Sequence, residues 1–208
     1  GDHSLGALMM FYLQSKSFSY KDGKNVNSVI GAIPYRNEAL SGRVTYGYKD
    51  TYFTEFNLGY TGSEQFQTGH RFGWFPAISG GWIPTQYKWV QKNMAWLDYF
   101  KLRASYGLVG NDRIGGTRFP YITTITNGNA GWNSLYGSRR EGQVGTDGLV
   151  WEKAKKFDIG IDAHFLKGMI ELTVDYFKDN RTGIFQQRAT VPDEIGLESL
   201  PWANIGSM

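Results

Sequence analysis

The chain has 208 residues with 22 basic and 19 acidic side chains, and its formal net charge is +3 at pH 7. It contains no cysteine, which excludes disulfides, cysteine-ligated metals and a cysteine nucleophile. Charges of both signs are mixed along the chain, so nucleic acid is a disfavoured partner. No stretch approaches the roughly 18 consecutive apolar residues that a transmembrane helix needs. The length suits one all-β domain over residues 1–208.

Apolar and polar residues alternate in seven segments, which predicts seven β-strands with one apolar and one polar face each. In the third segment, Phe56 and Leu58 alternate with Glu55 and Asn57. Pro76 lies inside the fourth segment and predicts a bulge or irregularity there, because proline has no N–H to donate. The predicted strands are residues 5–17, 40–48, 52–61, 72–83, 99–109, 151–165 and 169–185.

Short and long connections alternate between these segments. Lys49-Asp50 and Leu166-Lys167-Gly168 read as tight turns, and the apolar spacing of residues 84–98 predicts one or two helical turns. Long polar loops are predicted over residues 19–38, 110–148 and 188–208. Outer-membrane barrels place short turns on the periplasmic side and long loops outside, so this order fits a barrel wall. A soluble β-sandwich has similar strands, and the pattern alone leaves both architectures open.

In a barrel wall, the two faces of each strand meet lipid and water respectively. The apolar set predicted to face lipid is Leu40, Val44, Tyr46, Phe56, Leu58, Leu102, Ala104, Tyr106, Ile159, Ile161, Leu172 and Val174. The polar set predicted to face the lumen is Arg43, Glu55, Asn57, Arg103, Asp158, Asp162, Glu171 and Asp175. Aromatic residues near the short turns fit an interfacial girdle or a simple preference for strand ends: Tyr46, Tyr48, Tyr52, Trp82, Phe100 and Phe165.

The residues that could carry catalysis or bind a metal are few. His3, His70 and His164 are far apart and lack the spacing of metal ligands. Asp158 and Asp162 share a strand face with His164, which could suggest acid–base chemistry, but a water-filled lumen accounts for charges there equally well. No P-loop, dinucleotide fingerprint or Ser-His-Asp order occurs. We therefore expect no enzymatic activity, no cofactor and no metal site.

Aromatic residues in the long connection 110–148 are the predicted ligand-binding residues. They are Tyr121, Trp132 and Tyr136. Sugar rings stack on flat aromatic faces, and loops on a rigid scaffold commonly carry binding residues. The alternative is that these side chains pack the loop against its neighbours or against a protein that covers the barrel.

Six segments have distinctive sequences and cover most of the chain from Gly42 onward. They are GRVTYGYKDTY at 42–52, FGWFPAISGGW at 72–82, LDYFKLRASYGLVGN at 97–111, VWEK at 150–153, DYFK at 175–178 and the stretch 192–208. Together, and in this order, they resemble the barrel of SusC-like TonB-dependent outer-membrane transporters.

The resemblance implies an antiparallel up-and-down transmembrane barrel of about twenty-two strands, of which this chain would supply a part. It implies import of oligosaccharides or peptides across the bacterial outer membrane, energised through TonB, with a SusD-like surface lipoprotein as partner and membrane lipid around the wall. The family's plug, TonB box and N-terminal extension have no counterpart in the 208 residues, so we expect a fragment. The alternative hypothesis is a soluble, aromatic-rich β-sandwich that acts as a carbohydrate-binding module or adhesin.

Overall fold

The computed structural model describes residues 2–16, 33–113, 118–128, 138–188, 190, 192 and 200–208. Eight strands form one antiparallel sheet in which every strand pairs with the strands before and after it in the sheet's chain order. They are β1 (His3–Lys16), β2 (Tyr35–Tyr48), β3 (Tyr52–Ser63), β4 (Phe72–Trp82), β5 (Leu97–Asn111), β8 (Glu152–Phe165), β9 (Ile170–Gln187) and β10 (Trp202–Ser207). A separate hairpin joins β6 (Ile125–Gly128) to β7 (Ser138–Glu141).

This meander confirms the predicted up-and-down wall and shows that the β-sandwich hypothesis is wrong. In the part of the chain that the structure describes, the only other sheet is the two-stranded β6–β7 hairpin. The apolar strand faces are also open rather than packed into an internal core, since Met9 is 75% exposed and Val174 is 53% exposed. A sandwich would bury such side chains between two sheets.

One register aligns the apolar residues of successive strands into rows. Val44 lies opposite Phe56, Phe56 opposite Ile78, Ile78 opposite Tyr106, and Tyr106 opposite Phe157. Because side chains alternate along a strand, this register puts all twelve predicted apolar residues on one face, called here the apolar face. The eight predicted polar residues share the other, the polar face.

The tight turns at residues 49–50 and 166–168 define one end of the sheet, called here the turn end; the opposite end is the loop end. Lys49 and Asp50 have φ values of 52° and 50°, and Leu166 and Lys167 have 54° and 58°. Positive φ at both central residues gives a turn the twist that matches a hairpin's strands. The connection from β4 to β5 contains a 3₁₀ turn (Pro84–Gln86) and one short helix, α1 (Lys88–Asn93), as its spacing predicted.

Two predicted loops contribute residues to the main sheet, and the third, 110–148, contains the hairpin strands β6 and β7. The stretch 188–208 was expected to be a loop, yet Trp202–Ser207 forms β10 and pairs with β9, with register shifts around Gly206. β2 likewise begins at Tyr35, inside the predicted loop 19–38, because Tyr35 to Ala39 pair with β1. In both places, pairing with a distant strand imposes the extended backbone, and a weak local alternation is sufficient.

The expected irregularity at Pro76 is present on one side of β4 only. Pro76 lies opposite Leu58 in an unbroken ladder with β3, whereas the ladder with β5 begins only at Ala77, opposite Gly107. Pro76 therefore lies where β4 pairs on one side only, and a missing N–H is tolerated there as it is in an edge strand.

Most of the buried apolar side chains lie at the loop end. Phe66, Leu149, Trp151 and Phe185 form a cluster, against which Phe75 and Trp202 pack. The Trp151 ring lies 5.1 Å from that of Phe66, and its Nε1 donates to the carbonyl oxygen of Arg71 at 3.0 Å. This cluster fixes the ends of β4, β8, β9 and β10 relative to the connections between them.

No helix among the described residues is both long and apolar enough to cross a membrane. The sheet is open, and β1 and β10 each pair on one side only within the described residues. An unpaired strand edge is untenable in lipid, because every backbone donor and acceptor there needs a partner. The eight strands therefore form part of a larger wall.

Candidate functional site

The centre of the polar face is a charge cluster built around Arg103. Its Nη2 lies 2.5 Å from Asp175 Oδ1, its Nε lies 3.2 Å from Asp162 Oδ2, and its Nη1 lies 3.6 Å from Asp158 Oδ1. These aspartates come from β8 and β9, and the register brings them to β5. A guanidinium has a planar fork of donors that suits such a multiple contact.

Gly160 makes room for this arrangement. It lies opposite Arg103 on one side and Asp175 on the other. A Cβ at residue 160 would come within 2.7 Å of Arg103 Cζ and 2.2 Å of Asp175 Oδ1. The guanidinium therefore lies over Gly160, and a side chain at residue 160 would displace it or the Asp175 carboxylate.

A second polar group lies on the same face between β2 and β3. Arg43 Nε donates to Asn57 Oδ1 at 3.0 Å and lies 3.6 Å from Glu55 Oε1. Asn57 Nδ2 in turn donates to Glu55 Oε1 at 2.6 Å. The two groups together account for seven of the eight predicted polar residues, and Glu171 lies on the same face near the turn end, opposite His164.

Between these two groups, the polar face holds an open concavity of about 430 Å³. Many of its lining residues have little or no side chain, such as Gly47, Ser79, Gly81 and Ser105, and the ring of Phe53 lies among them. Glu55, Lys101, Arg103 and Asp158 stand around it. Small residues beneath charged ones leave space for water or a polar solute, and both hydrogen-bond donors and acceptors are within reach. This surface is suited to passage and weak binding of polar molecules.

At the loop end, a hydrogen-bond network joins three strands across the polar face. Tyr35 Oη and Ser63 Oγ both donate to Asp112 Oδ2, at 2.8 Å and 2.7 Å. Asn37 Nδ2 donates to Tyr35 Oη at 3.3 Å. Asp112 follows β5, while Tyr35 begins β2 and Ser63 ends β3, so one carboxylate connects ends that are separated by β4. This network is not predictable from the alternation of the sequence, which assigns Tyr35 and Asp112 to loops.

The segment after residue 117 is fastened to the sheet by glutamine side chains. The backbone N–H of Phe119 donates to Gln65 Oε1 at 3.0 Å. Gln143 Nε2 donates to the carbonyl oxygens of Phe119 and Ile122, at 2.9 Å and 3.1 Å. Phe119 and Pro120 are buried. This framework holds the base of the β6–β7 hairpin, and no motif in the sequence pointed to either glutamine.

The structure places the other candidate residues as follows. Tyr121 is half-buried, and its ring meets that of Phe119 edge-on at 6.1 Å, which is the packing role considered as an alternative. Trp132 and Tyr136 lie outside the described residues. His164 packs against the Tyr99 ring, and Asp158 and Asp162 contact Arg103, so these three do not form an acid–base group. No group of potential metal ligands occurs within the described ranges.

His3 and the aromatic residues of the turn end form two groups of ring contacts. His3 Nδ1 lies 2.8 Å from Tyr46 Oη, and its ring lies 4.8 Å from that of Tyr48. Trp96 stacks on Phe165 at 5.7 Å, with 12° between the ring planes. Aromatic side chains at one rim of an apolar sheet face are typical of the membrane interface.

Comparison with known proteins gives consistent results. The family model described as TonB dependent receptor-like, beta-barrel matches residues 3–208. TonB-dependent receptor P39 of Formosa agariphila is 31% identical over 170 residues, which cover 82% of this chain and 16% of that protein. TonB-dependent receptor SusC of Bacteroides thetaiotaomicron is 28% identical over 180 residues, covering 83% of this chain and 18% of SusC.

Solved structures show the same fold. The RagAB peptide importer in its closed-closed state matches with a TM-score of 0.74 and 22% identity, over 99% of this chain and 24% of that chain. Its open-open state matches with a TM-score of 0.73 and 24% identity. The chain thus spans less than a fifth of these two curated relatives and about a quarter of the RagAB chain. It belongs to the TonB-dependent receptor-like β-barrel family, whose members are outer-membrane proteins.

Proposed function

We propose that the chain forms part of the wall of a TonB-dependent importer that takes up oligosaccharides or peptides across the outer membrane. The observation that carries this proposal is the two-faced sheet. One face carries an apolar band from β1 to β9, while the other carries the Arg103 cluster and the open concavity. A wall with lipid outside and a hydrated passage inside requires this division.

In this function the polar set faces the lumen: Arg43, Glu55, Asn57, Arg103, Asp158, Asp162, Glu171 and Asp175. Their role is to keep the passage hydrated and to offer donors and acceptors to a polar nutrient. The contacts among them support this role, since each carboxylate of the Arg103 cluster is a quarter to two-fifths exposed and retains free acceptor capacity. The wall itself carries out no chemical reaction.

The loops at the other end of the passage supply recognition. We propose that Tyr121, Trp132 and Tyr136 contact the ligand, and that a SusD-like surface lipoprotein covers the loop end. The glutamine-fastened base of the β6–β7 hairpin supports this assignment, because a fixed base positions a loop tip. The names of the relatives agree, since SusC is a TonB-dependent receptor and RagAB is a peptide importer.

The test is growth of a strain that lacks the full-length gene. We expect it to lose growth on one class of nutrient, either an oligosaccharide or a peptide mixture supplied as sole carbon source, and a strain without TonB to lose the same growth. Complementation with the full-length gene should restore it. Unchanged growth on every oligosaccharide and peptide tested would contradict the proposal.

The lid is tested separately with the complemented strain. A surface lipoprotein should copurify with the full-length protein, and its own deletion should abolish growth on the same nutrient. If growth needs the importer and TonB but no such lipoprotein, the import function stands and the lid assignment is wrong.

A further inference from the structure

Three lysines stand near the loop end of β8 and β9, at the upper margin of the apolar face. Lys153 and Lys155 are on β8 and Lys178 is on β9, and all three side chains are exposed. In the register, Lys155 pairs with the apolar-face residue Leu108, and Lys178 with Phe157. Lys155 and Lys178 therefore point away from the lumen, and Lys153 lies one step nearer the loop end, opposite Gly110.

These lysines lie close enough together to act on one ligand. Lys153 and Lys155 are two residues apart on one face of one strand, which separates their Cα atoms by about 7 Å. Lys178 lies opposite Phe157 and so is the diagonal neighbour of Lys155, at a typical distance of roughly 7–8 Å. Lys153 and Lys178 are farther apart, since Lys153 lies opposite Thr182, four residues from Lys178. Long, flexible side chains allow all three ammonium groups to reach one ligand placed between them.

No carboxylate of the described residues lies within ion-pair distance of any of the three ammonium groups. Lys156, on the polar face of the same strand, shows the contrast: its Nζ lies 3.8 Å from Asp179 Oδ2. On β8, Lys156 thus has an ion-pair partner among the described residues, whereas Lys153 and Lys155 have none. Like charges this close together at a membrane surface attract anionic headgroups.

The height of the patch identifies where that anion lies. Phe165 stacks on Trp96 beside a tight turn and marks the turn-end interface. Lys155 lies ten residues before Phe165 on β8, toward the loop end. At about 3.3 Å per residue and a strand tilt of about 40°, ten residues rise roughly 25 Å, the height of the apolar band of a barrel. The patch therefore lies at the headgroup level of the opposite leaflet, beside the long loops.

We propose that Lys153, Lys155 and Lys178 form a binding site for the phosphate groups of a phosphorylated glycolipid of the outer leaflet. The apolar row below them, with Phe157, Ile159 and Tyr176, contacts the acyl chains of the same molecule. The site fastens the β8–β9 hairpin to the membrane on the loop side. It is independent of the nutrient that the lumen carries.

The test uses the full-length protein in detergent, titrated with bisphosphorylated lipid A and followed by native mass spectrometry. Replacing one lysine by glutamine (Lys155→Gln) should weaken binding about fivefold, because each lysine near an anionic membrane surface contributes about that factor. The triple replacement Lys153→Gln, Lys155→Gln, Lys178→Gln should abolish specific binding, and Lys155→Arg should retain it.

The chain offers a matched control. Lys88→Gln with Lys92→Gln removes two exposed lysines from the opposite end of the wall and should leave the affinity unchanged. Heat-modifiable migration on a gel shows which variants fold. The proposal is overturned if the folded triple variant binds lipid A as the wild type does, if dephosphorylated lipid A binds equally well, or if phosphatidylglycerol competes with equal affinity.

Discussion

The guanidinium of Arg103 lies in the space that a side chain at residue 160 would occupy. A Cβ at residue 160 would lie only 2.7 Å from Arg103 Cζ. The charge cluster around Arg103 therefore requires glycine at this position. Cross-strand pairing brings the two residues together, since they are direct partners in the β5–β8 ladder.

Gly160→Ala should displace Arg103 from Asp175 while the barrel still assembles, because both clashing groups are ends of flexible side chains. We expect a loss of about 1 kcal/mol in the free energy of unfolding, at the low end of the range for overpacking. Denaturant titration of the refolded full-length barrel measures it. Gly42→Ala is the control: nothing lies within 4 Å of its built Cβ, so stability should not fall.

Val174→Arg should destabilise the barrel by about 2–4 kcal/mol, because it places a charge on the lipid side near mid-depth. Val174 is 53% exposed on the apolar face, opposite Ile161. The neighbouring variant Thr173→Arg puts the same charge on the polar face, opposite Asp162, and should cost less than 1 kcal/mol by the usual value of an exposed pair. Equal losses for both variants in a refolding titration would mean that the faces are assigned wrongly.

Asp112→Ala should loosen the loop end, because it leaves the hydroxyl groups of Tyr35 and Ser63 without their shared acceptor. The cost should be about 1–3 kcal/mol, the typical penalty for partly buried donors that lose a partner. Asp112→Asn keeps a carbonyl oxygen at the site and should lose less than half as much. Protease sensitivity of the loops, measured on intact cells, reports the same order of effects.

Replacing residues 126–141 of the full-length protein by a short glycine–serine linker should impair uptake or capture of the lid lipoprotein. Gln143 is retained, so the contacts that fasten the base at Phe119 and Ile122 survive. Barrel assembly should be unchanged, because surface loops contribute little to strand pairing. Heat-modifiable migration on a gel measures it. A second variant, in which a glycine–serine segment of the original length replaces the same residues, shows whether the effect comes from the missing side chains or from the shorter loop. Normal growth and normal lid capture with either replacement would remove the hairpin from the mechanism.

Much of the wall could be predicted from the sequence because period-2 alternation is a local signal. It located seven of the eight strands and assigned residues such as Val44 and Arg43 to opposite faces correctly. β10 was missed because its six residues alternate weakly, and its place depends on pairing with β9 and on Asn204, whose Nδ2 donates to the carbonyl oxygens of Val150 and Gly183. Such distant partners leave no local pattern.

The candidate site was predictable only in part, for the same reason. Alternation placed Arg103 and Asp175 on one face, but these residues are 72 positions apart, and only the register shows that they touch. The roles of Gly160, Asp112 and Gln143 depend on what lies next to them in space. A glycine, an aspartate and a glutamine are common in strands and loops, and their types alone predict nothing specific.

The pairing order of the sheet has a consequence for how the wall assembles. β1 to β5 are joined by connections of at most about twenty residues, and so are β8 to β10, whereas the β5–β8 ladder closes over the whole of residues 112–151. Ladders between near neighbours form quickly, and a ladder that must first close a long loop forms later. We expect two sheets to form first, one of five strands and one of three, and then to pair along β5 and β8. Arg103 contacts its three aspartates only in that last step.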